Sequence, residues 1–161
     1  MTLPGRILTL EELPRLRAAA TAAGKTIAMA NGIFDLFHVG HLRYLEGAKA
    51  EADVLVVAVN SDVSTKLNKG PSRPLIPERE RAEIVAGLRC VDHVVLFDTK
   101  DVIPVIRLLK PDVQVKGTDY TPETIPEAAE VRSYGGRVAV AGDPKDHCTT
   151  ELLGKLDATR T

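Results

Sequence analysis

Five short apolar runs recur along the chain, and segments with helical spacing separate them. The runs are Thr26 to Asn31, Ala52 to Asn60, Val91 to Phe97, Asp112 to Lys116 and Arg137 to Ala141. Val54 to Val59 shows no polar alternation, as expected of a strand covered on both faces. The intervening patterns predict helices over Val39 to Glu51, Pro77 to Leu88, Val102 to Leu109, Pro122 to Tyr134 and Thr150 to Leu156. An earlier helix is predicted from Thr9 to Gly24. Thr9 and Glu12 have capping-box spacing, Ala18 to Ala23 favours helix, and Gly24 is a natural stop. Pro14 shifts its start. Strand and helix alternate throughout, which predicts an α/β fold with a doubly wound, parallel, five-stranded sheet. Residues 1–24 read as an N-terminal helical extension and residues 25–161 as one domain. Lys69 to Pro74, with one Gly and two Pro, reads as a loop.

Ligands of open parallel sheets bind beyond the carboxyl ends of the strands, near the switch point. Four polar clusters fall at those ends. They are Asn31 to His41, Asn60 to Asp62, Lys116 to Tyr120 and Asp143 to Thr150. In the first, His38 and His41 are three residues apart around Gly40. At a helix start, that spacing adds two imidazole donors to free backbone N–H groups, a suitable site for phosphate. Gly40 leaves room for the anion, and Gly32 lets the loop turn. Polar loop residues, or half of a metal site, are the alternatives. Lys66, Lys69 and Arg73 can neutralise phosphates or form a solvated basic loop. Lys116 and Asp119 end a buried strand. Asp119 suits a hydroxyl, a water-bridged Mg²⁺ or a turn cap. Thr149 and Thr150 suit a helix cap, a phosphate or both. A surface ion pair is the default for Arg81.

Composition narrows the classes. The chain has 161 residues, 44% of them hydrophobic, so it can bury a core unaided. With 21 basic and 22 acidic residues, it lacks the excess charge of a dedicated nucleic-acid binder. Cys90 and Cys148 form no C-x-x-C pair, which argues against a disulfide scaffold or structural zinc. No leader is recognisable at the N-terminus and no run approaches the ~20 residues of a membrane span, so a cytoplasmic protein is expected. Walker A, G-x-G-x-x-G and G-x-S-x-G motifs are absent.

Gly32-x-Phe34-Asp35-x-x-His38-x-Gly40-His41 resembles the signature of nucleotidyltransferases related to the cytidylyltransferases. Asn60-Ser-Asp62, Lys69-Gly70, Ser72-Arg73-Pro74, Arg81, Val115-Lys116-Gly117-x-Asp119-Tyr120 and Cys148-Thr149-Thr150 follow in order. Together they resemble the adenylyltransferases of ADP-heptose synthesis, over about Lys25 to Leu156. The resemblance implies a Rossmann-like fold and transfer of AMP from ATP to D-glycero-β-D-manno-heptose 1-phosphate, with pyrophosphate released. It makes His38, His41 and Lys69 catalytic. It gives the nucleotide Asn31, Gly32, Ile33, Phe34, Gly40, Lys116, Gly117, Asp119, Thr149 and Thr150 besides the two histidines. Asp35, Asn60, Asp62, Lys66, Arg73 and Arg81 fall to the substrate. It further implies Mg²⁺ carried on the triphosphate with no protein metal site, a homodimer, and a separate heptose kinase. The chain has Thr118 and Cys148 where that family tends to have Gly and Ser. A cytidylyltransferase acting on glycerol 3-phosphate or phosphoethanolamine, and a non-catalytic nucleotide-binding domain, are the rivals.

Overall fold

The computed structural model describes residues 5–144 and 148–159. Six strands form one parallel sheet: β1 (Arg6–Leu8), β2 (Ile27–Gly32), β3 (Val54–Asn60), β4 (His93–Phe97), β5 (Val113–Lys116) and β6 (Arg137–Val140). Their order across the sheet is β1-β4-β3-β2-β5-β6. The helices are α1 (Leu13–Ala22), α2 (Val39–Ala50), α3 (Asp62–Lys69), α4 (Glu78–Ala86), α5 (Ile103–Leu109), α6 (Ala128–Ser133) and α7 (Thr149–Ala158).

The expected five strands are therefore six. The extra one lies in the stretch read as helical, where Arg6, Ile7 and Leu8 pair with His93, Val94 and Val95. It is three residues long and buries only Leu8, too little for a strand pattern to show. Thr9 and Glu12 do form their capping box, but on a single 3₁₀ turn, and α1 follows it with Pro14 in its first turn.

The unbroken valine-rich run of β3 is central and covered on both sides. Leu55, Val57 and Val59 face a core that α2 and α4 complete with Leu45, Ala48, Ala82, Val85 and Ala86. Val56 and Ala58 face the opposite core, closed by Leu13 of α1, Ile106 and Leu109 of α5 and Val131 of α6. Carboxylates fasten the amino ends of the strands. Asp92 accepts from Leu55 N and Lys49 Nζ at 2.7 and 2.6 Å. Asp112 accepts from Ile27 N and Arg17 Nη1 at 2.7 and 2.8 Å.

After β2 the chain builds β3 and β4 on one side, then returns to lay β5 and β6 on the other. The switch point is thus the crevice between β2 and β5, registered by Ala30 opposite Val115. No helix among the described residues is long and apolar enough to cross a membrane.

Candidate active site

A cleft of about 650 Å³ opens above the switch point. Sixteen of the residues singled out from the sequence line it. From β2 and its loop come Asn31, Gly32, Ile33, Phe34 and Asp35, then His38, Gly40 and His41 at the start of α2. Asn60, Lys69 and Arg73 form one side; Lys116, Gly117, Asp119, Thr149 and Thr150 form the other. Asp62, Lys66 and Arg81 lie outside the lining. Lys145 to His147, inside the Asp143 to Thr150 cluster, lie outside the described residues.

His38 is the N-cap of α2. Its Nδ1 accepts from Gly40 N at 3.1 Å, and His41 Nδ1 accepts from His38 N at 3.3 Å. A neutral imidazole whose Nδ1 accepts carries its proton on Nε2. Both rings are thereby set as Nε2–H donors. They stack with centroids 3.8 Å apart. Burial and the neighbouring His38 lower the His41 pKa to about 4, so its ring is neutral at physiological pH. A neutral ring that donates is suited to a phosphate oxygen without the desolvation cost of a buried cation.

The preceding loop exists to hold these rings. Phe34 takes a left-handed φ of 52° and is buried, with its edge against His41 at 5.3 Å between centroids. A Cβ on Gly32 would lie 3.1 Å from the Phe34 ring, so any larger residue there would make the ring give way by a few tenths of an ångström. Asp35, 2% exposed, pairs with Arg73 and accepts from Leu75 N and Ile76 N. Burial alone would push its carboxyl up; the Ile76 and Leu75 amides and Arg73 outweigh burial and hold it below the usual carboxylate range.

Arg81 is fully buried, not a surface ion-pair residue. It donates to the carbonyls of Ile33, Asn60 and Ile76 at 2.5, 2.8 and 2.8 Å and pairs with Asp62 at 2.9 Å. Its guanidinium ties the ends of β2 and β3 to α3 and α4. Asp35, Asp62 and Arg81 therefore form the frame that positions the cleft: the polar atoms of Asp35 and Arg81 are spent inside the protein, while the Asp62 carboxylate, 36% exposed, accepts from Arg81 through Oδ1.

Lys66 and Lys69 sit on a helix rather than in the loop expected after Asp62. α3 hides polar residues and exposes apolar ones. Ser64 and Thr65 are buried while Val63 and Leu67 are 59% and 58% exposed. Thr65 Oγ1 donates to Ser61 O and Ser64 Oγ to Thr99 O. That inversion conceals the helix from a hydrophobic pattern. Lys69 ends α3 and faces the cleft.

On the far side, Cys148 rather than either threonine caps α7, its Sγ accepting from Glu151 N at 3.3 Å. Thr149 and Thr150 are the first two helical residues, with their N–H groups in the unpaired first turn. Thr118 Oγ1 donates to Asp143 O at 2.6 Å, and Arg43 pairs with the Asp143 carboxylate at 2.5 Å. Among the described residues, no group of three His, Cys, Asp or Glu could hold a metal ion.

The cytidylyltransferase-like family model matches residues 29–151, most of the chain and every residue that lines the cleft. This chain belongs to that family. It is a nucleotidyltransferase. "Bifunctional protein HldE" of Syntrophotalea carbinolica is 49% identical over 133 residues, covering 83% of this chain and 27% of the relative. The protein of the same name from Geobacter metallireducens is 47% identical over 151 residues, covering 94% and 31%. The chain thus spans about a third of the length of the curated relatives it matches. A crystal structure of the lipopolysaccharide core biosynthesis protein from Thermoplasma volcanium is 32% identical, with a TM-score of 0.61 over 73% of this chain and 94% of that one. Pantoate-beta-alanine ligase from Francisella tularensis shares the fold at a TM-score of 0.59 and 14% identity, covering 91% of this chain and 69% of that one.

In this cytidylyltransferase-like chain one member of the cleft wall escaped the sequence. Glu127 lies just before α6, where the pattern predicts a helix already begun at Pro122. It is 6% exposed and pairs with Lys116 at 3.0 Å. Lys116 also donates to Asn31 Oδ1 at 3.0 Å, and so does Gln114 Nε2 at 3.0 Å. Only the eleven-residue separation of Lys116 and Glu127 was visible, and nothing in it signals a pair.

Proposed function

We propose that the chain transfers AMP from ATP to D-glycero-β-D-manno-heptose 1-phosphate, giving ADP-heptose and pyrophosphate. The observation that carries this reading is the pair of Nε2–H donors at the start of α2, set at the switch point. The heptose acceptor rests on the Val115-to-Tyr120 segment, on relatives named HldE and on a lipopolysaccharide core biosynthesis protein of the same fold.

A phosphate oxygen of the acceptor attacks the α-phosphorus in line, and the bond to the pyrophosphate oxygen breaks. No covalent enzyme intermediate forms. The protein aligns two anions and stabilises the charge that builds on the α-phosphoryl oxygens. His38 and His41 donate to those oxygens. Lys69 neutralises charge between nucleotide and acceptor; it lines the cleft and Lys66 does not. The first-turn N–H groups of Thr149 and Thr150 take the β- and γ-phosphates. Asn31 to Phe34 and Lys116 to Asp119 border the nucleoside, and Asn60 and Arg73 border the acceptor. Mg²⁺ would arrive on the triphosphate and neutralise charge there, with no described residues grouped to hold it.

The acceptor is a glycosyl phosphate, so a sugar kinase acts before this step. The reading also places the reaction in the cytoplasm and makes the enzyme a homodimer; Val63 and Leu67, one turn apart on α3, are exposed apolar residues available to such an interface. The test is pyrophosphate release from ATP, CTP, GTP and UTP against the heptose phosphate, glycerol 3-phosphate and phosphoethanolamine with Mg²⁺. Release with ATP and the heptose phosphate alone is expected. Release with CTP and a small phosphate would overturn the substrate; ATP binding without release in any combination would overturn the activity.

A further inference from the structure

The wall formed by β5 and α6 holds a charge arrangement that phosphate chemistry does not use. Asn31, Gln114 and Lys116 point to the same face of the sheet as α6, and Glu127 meets them there. Lys116 and Glu127 are 8% and 6% exposed, so both charges are largely removed from water. The lysine satisfies Glu127 Oε1. Glu127 Oε2 is buried and accepts no hydrogen bond from any described residue. An ionised carboxylate has about four lone-pair sites, and a buried oxygen without a donor is a standing cost that a ligand's donor would remove. Gln114 Oε1 is also unpartnered, but Gln114 does not line the cleft, whereas Glu127, Lys116 and Asn31 do.

The missing donor cannot be a phosphate. A carboxylate repels phosphate oxygens, which the histidines, Lys69 and the start of α7 attract instead. The donor must be neutral; of the neutral donors the substrates carry, hydroxyls occur on both the nucleotide and the sugar phosphate, whereas the adenine amino group occurs on the nucleotide alone. We propose that Glu127 Oε2 accepts a hydrogen bond from a substrate hydroxyl, making Glu127 a specificity-determining residue with Lys116 holding its other oxygen. The hydroxyl belongs either to the ribose of the nucleotide or to the ring of the sugar phosphate. The proposal rests on the adenylyltransferase reading for the identity of the two ligands.

The experiment reads binding by titration calorimetry, so it does not depend on turnover. One arm compares ATP with 2′-deoxy-ATP and 3′-deoxy-ATP; the other compares the heptose 1-phosphate with its monodeoxy analogues. The wild type is expected to prefer a parent ligand over one deoxy analogue by about tenfold, the scale of a hydrogen bond to a charged group. Glu127→Gln keeps an oxygen for Lys116 and replaces the accepting atom with a donor. Glu127→Asp keeps the charge and withdraws it by one methylene. In both variants the preference is expected to fall to about twofold, in the arm that owns the hydroxyl. An equal loss of affinity for parent and analogue in both arms would overturn the proposal and leave Glu127 as a counter-ion for Lys116. So would a wild type that discriminates in neither arm. A wild type that binds both ligands but releases no pyrophosphate would overturn the adenylyltransferase reading and leave the Glu127 comparison standing.

Discussion

Two helix N-termini face the same cleft, and they are held in opposite ways. The start of α2 is fixed from beneath: Phe34 is packed into the core, Asp35 binds Arg73 and two amides, and Arg81 clamps the ends of β2 and β3. Among the described residues the start of α7 has no such support. None of its residues from 149 to 158 is buried, a thiol caps it, and the loop before it is tied by Thr118 and by an Arg43–Asp143 pair about half exposed. Both ends offer backbone N–H groups to an anion. Only one is preorganised, and preorganised donors are those that stabilise charge developing in a transition state. The other is less buried, which in the proposed reaction suits the β- and γ-phosphates, a group that binds and then departs as pyrophosphate.

The largest effect should follow from removing the clamp. Arg81→Met leaves Asp62 and three carbonyls without their buried donor. Loss of a buried partner of this kind costs about 3–5 kcal/mol. Urea unfolding should show it as a lower midpoint. A loss below about 1 kcal/mol would mean that water reaches these groups, and the contrast between the two helix ends would fail.

His41→Ala should leave the frame intact and lower kcat by about 10²–10³, the scale for one lost transition-state donor. Pyrophosphate release under saturating substrates checks it. Near-normal turnover would remove His41 from the chemistry and make the preorganised end merely structural.

Titration sharpens the same contrast. The folded-state pKa of His41 is lowered from 6.5 to about 4, so between those values the unfolded chain binds the extra proton. Its contribution to stability is complete above pH 6.5 and is lost as pH falls towards 4. Wild type should therefore lose more stability between pH 7 and pH 5 than His41→Gln does. Equal losses, read from urea midpoints at the two pH values, would place His41 in water.

The sheet and the His38–His41 site were legible because each is a local pattern. Buried strands read as apolar runs, and a strand–loop–helix passage with H-x-G-H carries its own geometry. What was hidden is held by pairs distant in sequence. Arg81 looks like any charged helix residue until the carbonyls of Ile33 and Asn60 close on it. α3 hides behind Ser64 and Thr65, whose hydroxyls are satisfied inside while Val63 and Leu67 face outward. Glu127 is invisible without Lys116. β1 is too short to carry a period and exists only because β4 offers it an edge.

The smallest effect belongs to the weakly held end. At Cys148 the backbone is extended, with φ −142° and ψ 151°, the geometry an N-cap needs. A sulfur is a weak acceptor, so this cap contributes little to α7. Cys148→Ser supplies a stronger acceptor at the same place. It should retain full turnover and raise stability by less than about 1 kcal/mol, since caps are worth about that much. Cys148→Ala removes the acceptor and should raise the KM for ATP more than it lowers kcat, as the proposed mechanism requires if α7 serves binding and α2 the chemical step. Steady-state kinetics on the two variants decide it. Complete inactivation of Cys148→Ser would give the thiol a chemical role that its position as a cap does not explain. An effect of Cys148→Ala confined to kcat would instead move α7 into the chemistry, and the division of labour between the two helix ends would be lost.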